Sequence, residues 1–229
     1  FEAEGAAQQN FRVDTLKFTE DDGTLPSSEP SIEPSADTSA EPDQNQDFLN
    51  ETFGSLTTGD YVINSSDTSK WRTSAANVTA EVVENPSETD KSLNIISAGK
   101  GESTIMSPAF INPAKGNRVI MDSKFMLADG QSNRFIYFNS NNTVALNFDF
   151  VKGSEVDQQF TLKYYSGSAT ELRGSKKYDN NTWYRMIVVL NTNQVTYDFY
   201  LFDDNDQLIE GFTGLKAYKG TKLTSETCN

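Results

Sequence analysis

Asn180-Asn181-Thr182-Trp183-Tyr184-Arg185-Met186-Ile187-Val188-Val189-Leu190, then Asn191-Thr192-Asn193, then Gln194-Val195-Thr196-Tyr197-Asp198-Phe199-Tyr200-Leu201-Phe202, is the stretch that decides the fold class. Two runs dense in β-branched and aromatic residues flank a short Asn/Thr connection, and Asp203-Asp204-Asn205-Asp206 follows the second run. Such side chains fit a pleated surface, and Asn and Asp accept turn backbone, so the spacing predicts antiparallel strands joined by tight turns.

The pattern extends upstream. Arg118 to Leu127, Asn133 to Phe138, Thr143 to Val151 and Gln158 to Tyr165 are each of strand length and rich in Val, Ile, Phe and Tyr. Asp129-Gly130, Asn139 to Asn142, Lys152-Gly153-Ser154 and Ser166-Gly167-Ser168 separate them as turn signals. No long segment of period 3.6 occurs from Asn50 onward, which favours a two-sheet sandwich or jelly roll over alternating strands and helices. Within Thr143 to Val151, Val144, Leu146, Phe148 and Phe150 share one face, while Thr143, Ala145, Asn147 and Asp149 share the other. Phe160, Leu162 and Tyr164 alternate with Thr161, Lys163 and Tyr165 in the same way, so these strands are expected to have one buried and one wet side.

Lys and Arg total 19 against 33 Asp and Glu, a net charge of −14. Nucleic acid and anionic membrane are disfavoured partners, because binding either is dominated by attraction to cationic protein. The chain has no histidine, which removes the commonest general base and metal ligand and argues against hydrolase triads and zinc sites. Cys228 is the sole cysteine, so no intrachain disulfide forms. No apolar run reaches membrane-spanning length and no signal peptide is visible; a chain starting at Phe1 is expected to be a mature or excised portion.

Glu20 to Asp47 is dominated by Pro, Ser and acidic residues, including Ser28-Glu29-Pro30-Ser31-Ile32-Glu33-Pro34-Ser35. Nothing in it repays the entropy of ordering, so residues 20–47 read as a disordered, self-repelling acidic linker of the kind that joins modules in secreted multidomain proteins. Ahead of it, Phe11, Val13, Thr15 and Leu16 to Phe18 suggest one stray strand within residues 1–19, which needs a sheet to join. The main module is expected over residues 48–229.

From Phe48 to about Tyr218 the order of features resembles the concanavalin A-like, laminin G-like jelly-roll modules appended to bacterial extracellular pectate lyases and other polysaccharide-degrading enzymes. The resemblance is carried by the entry Phe48-Leu49-Asn50-Glu51-Thr52-Phe53 with Gly59, and by Trp71. Val78 to Pro86 followed by Asp90-Lys91-Ser92-Leu93-Asn94-Ile95 adds to it, as does the hairpin of Asn181-Thr182-Trp183-Tyr184 with Thr196-Tyr197-Asp198-Phe199-Tyr200. Modules of this type end on a strand that Phe11 to Phe18 resembles, here at the opposite end of the chain. Residues 1–19 are then either the closing strand of a preceding module or a permuted strand of this one, with Val13 and its same-face neighbours pointing inward.

The resemblance implies a non-catalytic, extracellular carbohydrate-binding module that targets polysaccharide, works beside catalytic or repeat modules of the same polypeptide, and carries calcium in some members. The spaced carboxylates of jelly-roll glucanases are missing: Glu81, Glu84 and Glu88 straddle the turn at Asn85-Pro86-Ser87 and read as solvated, so no enzyme is expected. Asp203-Asp204-Asn205-Asp206 offers oxygens to calcium but lacks the spacing of a binding loop, and a plain turn is the simpler reading. Sugars need aromatic faces and planar polar groups. Trp71, Arg134, Asn147, Asp149, Lys163 and Tyr165 are therefore the candidate carbohydrate-binding residues, with Arg134 and Lys163 hinting at an acidic glycan such as pectin. Trp183 and Tyr197 read as packing residues. The competing reading is a spacer or adhesin repeat of a cell-surface protein, without sugar affinity.

Overall fold

The computed structural model of the chain describes residues 2–4, 9–20, 47–63, 66–73, 75–85, 87–98, 103–108, 118–128, 132–138, 144–152, 159–167, 171–191 and 194–217. These residues are all-β, with sixteen strands and no helix among them. In chain order the strands are β1 (Glu2–Glu4), β2 (Gln9–Glu20), β3 (Asp47–Thr52), β4 (Gly59–Tyr61), β5 (Arg72–Thr73), β6 (Val78–Asn85), β7 (Ser87–Ser97) and β8 (Ser103–Met106). They continue as β9 (Arg118–Ala128), β10 (Ser132–Phe138), β11 (Val144–Lys152), β12 (Gln159–Tyr165), β13 (Glu171–Asp179), β14 (Trp183–Asn191), β15 (Thr196–Phe202) and β16 (Leu208–Lys216).

All pairings are antiparallel and form two sheets. One has seven strands in the order β13-β12-β11-β10-β1-β8-β5. The other has nine, in the order β16-β15-β14-β9-β2-β7-β6-β4 with β3 beside β2. Their inner faces meet sandwich-fashion in one core in which aromatic rings interdigitate. Phe148 of the seven-stranded sheet lies 4.9 Å from Phe199 and 5.5 Å from Tyr197 of the other, and Phe125 lies 5.4 Å from Phe150. Offset and edge contacts of this kind add about 0.5–1.5 kcal/mol each beyond area burial. The period-two reading of β11 and β12 holds in space, with Leu146, Phe148, Phe150, Phe160, Leu162 and Tyr164 buried.

The N-terminal strand is paired within the chain. β2 runs along β9 from Asn10↔Ala128 to Glu20↔Val119. On its other side, Gln9 to Val13 pair with β7 and Thr15 to Thr19 pair with β3. A register shift between Val13 and Thr15 leaves Asp14 as an extra residue, which exchanges the inward parity along the strand. Phe11 and Val13 are therefore buried before the bulge, and Leu16 and Phe18 after it. This explains the broken alternation of the segment in sequence.

Residues 21–46 lie outside the described set, but their flanks do not. Thr19 and Asp47 are Cα partners, so the acidic stretch departs from and returns to neighbouring positions of one sheet. That is the geometry of a hairpin insertion; a tether between two separately folded units does not bring its ends together. The insertion holds seven carboxylates and no Lys or Arg, half of the net charge of −14. Replacing residues 21–46 by a turn of about four residues is expected to keep the fold and raise stability by about 1–2 kcal/mol, from cheaper loop closure. Thermal unfolding checks this; a lowered midpoint would show that the insertion packs on the sandwich.

The flank carrying the edge strands β13 and β16 is closed by side chains that cross between the sheets. Tyr178 donates its hydroxyl to the Glu210 carboxylate, and Lys176 Nζ donates to the Ile209 carbonyl. Burial, and then Glu210 beside it, push the Tyr178 phenol far above its usual range, which keeps it protonated as the donor.

Candidate functional site

The polar side of the seven-stranded sheet gathers most of the residues selected from sequence. β10 sets Arg134 opposite Asp149 of β11, Asp149 lies opposite Lys163 of β12, and Lys163 lies opposite Arg173 of β13. Glu2 of β1 is the partner position of Arg134 on the other side. A row of alternating and then cationic positions thus crosses five strands. Opposite charges in directly opposed positions stabilise a sheet by a few tenths to about 1 kcal/mol each, so the row also serves the fold. Asn147 is two residues before Asp149 on the same side and opposite Ile136, and Tyr165 is two residues after Lys163 and opposite Glu171. The side chains of Glu2, Arg134, Tyr165 and Arg173 are outside the described set.

Asp149 is buried and Asn147 and Lys163 are half-buried, so the face is not a fully open one. Asn147 Oδ1 is buried and finds no partner among the described residues. Thr161 opposite Lys177 adds another polar row beside the first.

Trp71 is elsewhere. It precedes β5, is fully buried, and its ring centre is 6.4 Å from that of Phe53. Burial holds the carboxyl of the half-buried Glu51 above the ordinary glutamate range, an effect that Trp71 partly offsets. A ring enclosed on all sides offers no face to a pyranose, so Trp71 is corrected from a sugar-stacking candidate to a core residue. Glu81, read as solvated, accepts a hydrogen bond of 2.8 Å from Asn94 Nδ2 across the β6–β7 pair.

A cleft of about 280 Å³ opens on the outer face of the nine-stranded sheet, between β2, β9 and β14 and the loop joining β15 to β16. Arg185 is one of its lining residues. It alternates with the buried Tyr184 and Met186 along β14 and so turns away from the core. Its guanidinium grips Asp122 of β9 through Nε to Oδ1 at 3.0 Å and Nη2 to Oδ2 at 2.6 Å, and reaches Asp206 Oδ1 from Nη1 at 3.3 Å. These bonds, Asp122 first, hold its pKa above even the usual arginine range. Lys124, opposite Arg185 in the register, lies 3.5 Å from Asp204, 3.9 Å from the bulged Asp14 and 5.7 Å from the Trp183 ring centre.

The loop that presents the acidic residues has its own internal logic. Asp203 Oδ1 accepts from the backbone N–H groups of Asn205 and Gln207, both at 2.9 Å, and Asp206 takes a left-handed conformation at φ 55°. Asp is among the few residues that accept that conformation, and here it carries the carboxylate back to Arg185. The carboxylates singled out for calcium are therefore engaged by backbone, Lys124 and Arg185. Among the described residues no group of three or more metal-ligating side chains occurs.

Sequence reasoning missed this cleft. The available signal was Arg185, a single charge inside the apolar run from Trp183 to Leu190, preceding an Asp-rich turn. Comparison of the chain with known protein families, with curated proteins and with solved structures found no match.

Proposed function

We propose that the chain is a non-catalytic carbohydrate-binding jelly-roll module of an extracellular polysaccharide-degrading protein. The observation that carries this reading is the register of β10, β11, β12 and β13, which sets Arg134, Asp149, Lys163 and Arg173 side by side with Asn147 and Tyr165 next to them. Charged and amide-bearing residues at laterally aligned register positions suit the hydroxyls and carboxylates of an extended glycan, and a sheet face accommodates a chain rather than a chain end. Counting Glu2, Arg134, Asp149, Lys163 and Arg173, the row carries a net charge of +1 in a chain of −14, which favours an acidic polysaccharide of the pectin type.

The test is retention on a panel of plant cell-wall polysaccharides. Homogalacturonan is expected to be retained, less so as salt rises, and Lys163→Ala or Tyr165→Ala is expected to weaken retention roughly three- to tenfold while lowering the melting temperature by no more than about 4 °C. Absence of retention on every polysaccharide would leave the chain as a spacer or adhesin repeat.

A further inference from the structure

The geometry points to a second ligand site in the Arg185 cleft, one that takes an uncharged saccharide through its vicinal hydroxyls. The site is distinct from the seven-stranded face and does not need that face to bind anything. Arg185 has five N–H donors, of which the bonds to Asp122 and Asp206 use three. Two N–H groups, one on each terminal nitrogen, are left beside carboxylates that keep spare lone pairs. Asp204 and Asp206, at 56% and 45% side-chain exposure, form the open rim, while Arg185 and Asp122 are the more enclosed.

A vicinal diol matches this arrangement. One hydroxyl donates to a carboxylate, while the neighbouring oxygen accepts from the guanidinium, and neither protein group has to move because each is already held by the other. An aromatic side chain of the kind pyranose rings stack on stands next to the cleft. Trp183, half-buried two residues before Arg185 on the same side of β14, is not one of the lining residues but adjoins one of them, Lys124, whose Nζ lies 5.7 Å from its ring centre.

Charge selects the ligand class. Asp122, Asp203, Asp204 and Asp206 line the cleft with only Lys124 and Arg185 against them, a net charge of −2 before any ligand arrives. A uronate or phosphate is repelled there, by roughly fivefold or more in affinity for one like charge at contact distance. A neutral sugar is not. The two sites therefore have opposite preferences.

An amide-resolved NMR titration of the full chain tests this with three probes: neutral gluco- or xylo-oligosaccharides, oligogalacturonate, and calcium alone. The neutral oligosaccharides are expected to shift the signals of residues 122–124, 183–185 and 203–207 saturably. Trp183→Leu and Asp206→Asn should each weaken that binding roughly three- to tenfold, and Lys163→Ala should leave it unchanged. The proposal is overturned if no neutral oligosaccharide shifts those signals at millimolar concentration, if oligogalacturonate or calcium shifts them more strongly, or if both cleft variants bind as the parent does. If a variant fails to fold, the titration of the unaltered chain decides alone. Loss of oligogalacturonate retention in the Lys163 variant bears only on the seven-stranded face.

Discussion

Deletion of residues 1–19 is expected to abolish cooperative folding. β2 stands inside the nine-stranded sheet, hydrogen-bonded along one side to β9 and along the other to β7 and β3. Without it the sheet divides into two pieces whose facing edges carry unpaired N–H and C=O groups, a template for aggregation. The core also loses Phe11, Val13, Leu16 and Phe18, each 5% exposed or less. At about 1.5–3 kcal/mol for each such side chain, the loss matches the whole of an ordinary domain's stability, about 5–15 kcal/mol. Thermal unfolding followed by circular dichroism should show no sharp transition, with aggregation on concentration. A shortened chain melting as sharply and as high as the intact one would contradict the placement of β2.

The second large effect is expected at Trp71. Trp71→Ala removes a fully buried indole that packs on Phe53, in a region with only the two-residue β5 and the three-residue β4 for support. Truncating a buried tryptophan costs about 3–5 kcal/mol. For a domain of this size that lowers the melting temperature by roughly 6–20 °C. Glycan binding, measured well below the new midpoint, should be unchanged. The reverse outcome, an unaltered melting curve with binding lost, would return Trp71 to the ligand surface.

Trp71 also marks where sequence reading runs out. Its neighbours from Ser66 to Lys70 are polar and exposed, and nothing local announces that Phe53, eighteen positions earlier, comes to rest against it. Local pattern was enough elsewhere. β9, β10, β11 and β12 each lie within a residue or so of the spans expected from alternation and turn signals, and β9, β11 and β12 alternate buried and half-buried positions over much of their length. β13 was not anticipated. As a sheet edge it carries Arg173, Lys176 and Lys177, the charged composition that protects edges and erases the alternation a strand is recognised by. The Asp14 bulge hid the parity of β2 in the same manner.

Legibility of the candidate sites followed the same division. The lateral row of Arg134, Asp149 and Lys163 was accessible because residues on one side of successive strands line up whenever the register does. The Arg185 cleft was not, since Asp122, Lys124, Arg185 and Asp206 come from β9, β14 and a loop, and only the β14–β9 pairing puts Lys124 opposite Arg185. Val195 is a smaller case: it holds φ 56° in the β14–β15 turn, an unfavourable conformation for a β-branched residue that no sequence rule would choose. Its side chain packs against the core, and its carbonyl accepts the Ala217 N–H at 3.0 Å.

The central claim, that the N-terminal strand is an interior strand of one sandwich and so helps position the Arg185 cleft through Thr15 and Asp14, is most directly tested by native-state hydrogen exchange on the intact chain. The amides of Phe11 to Phe18 that pair with β9, β7 and β3 should exchange as slowly as those of β9 and β14, at the rate set by global unfolding and independently of protein concentration. Exchange of Phe11 to Phe18 within seconds to minutes, while β9 and β14 stay protected, would contradict it.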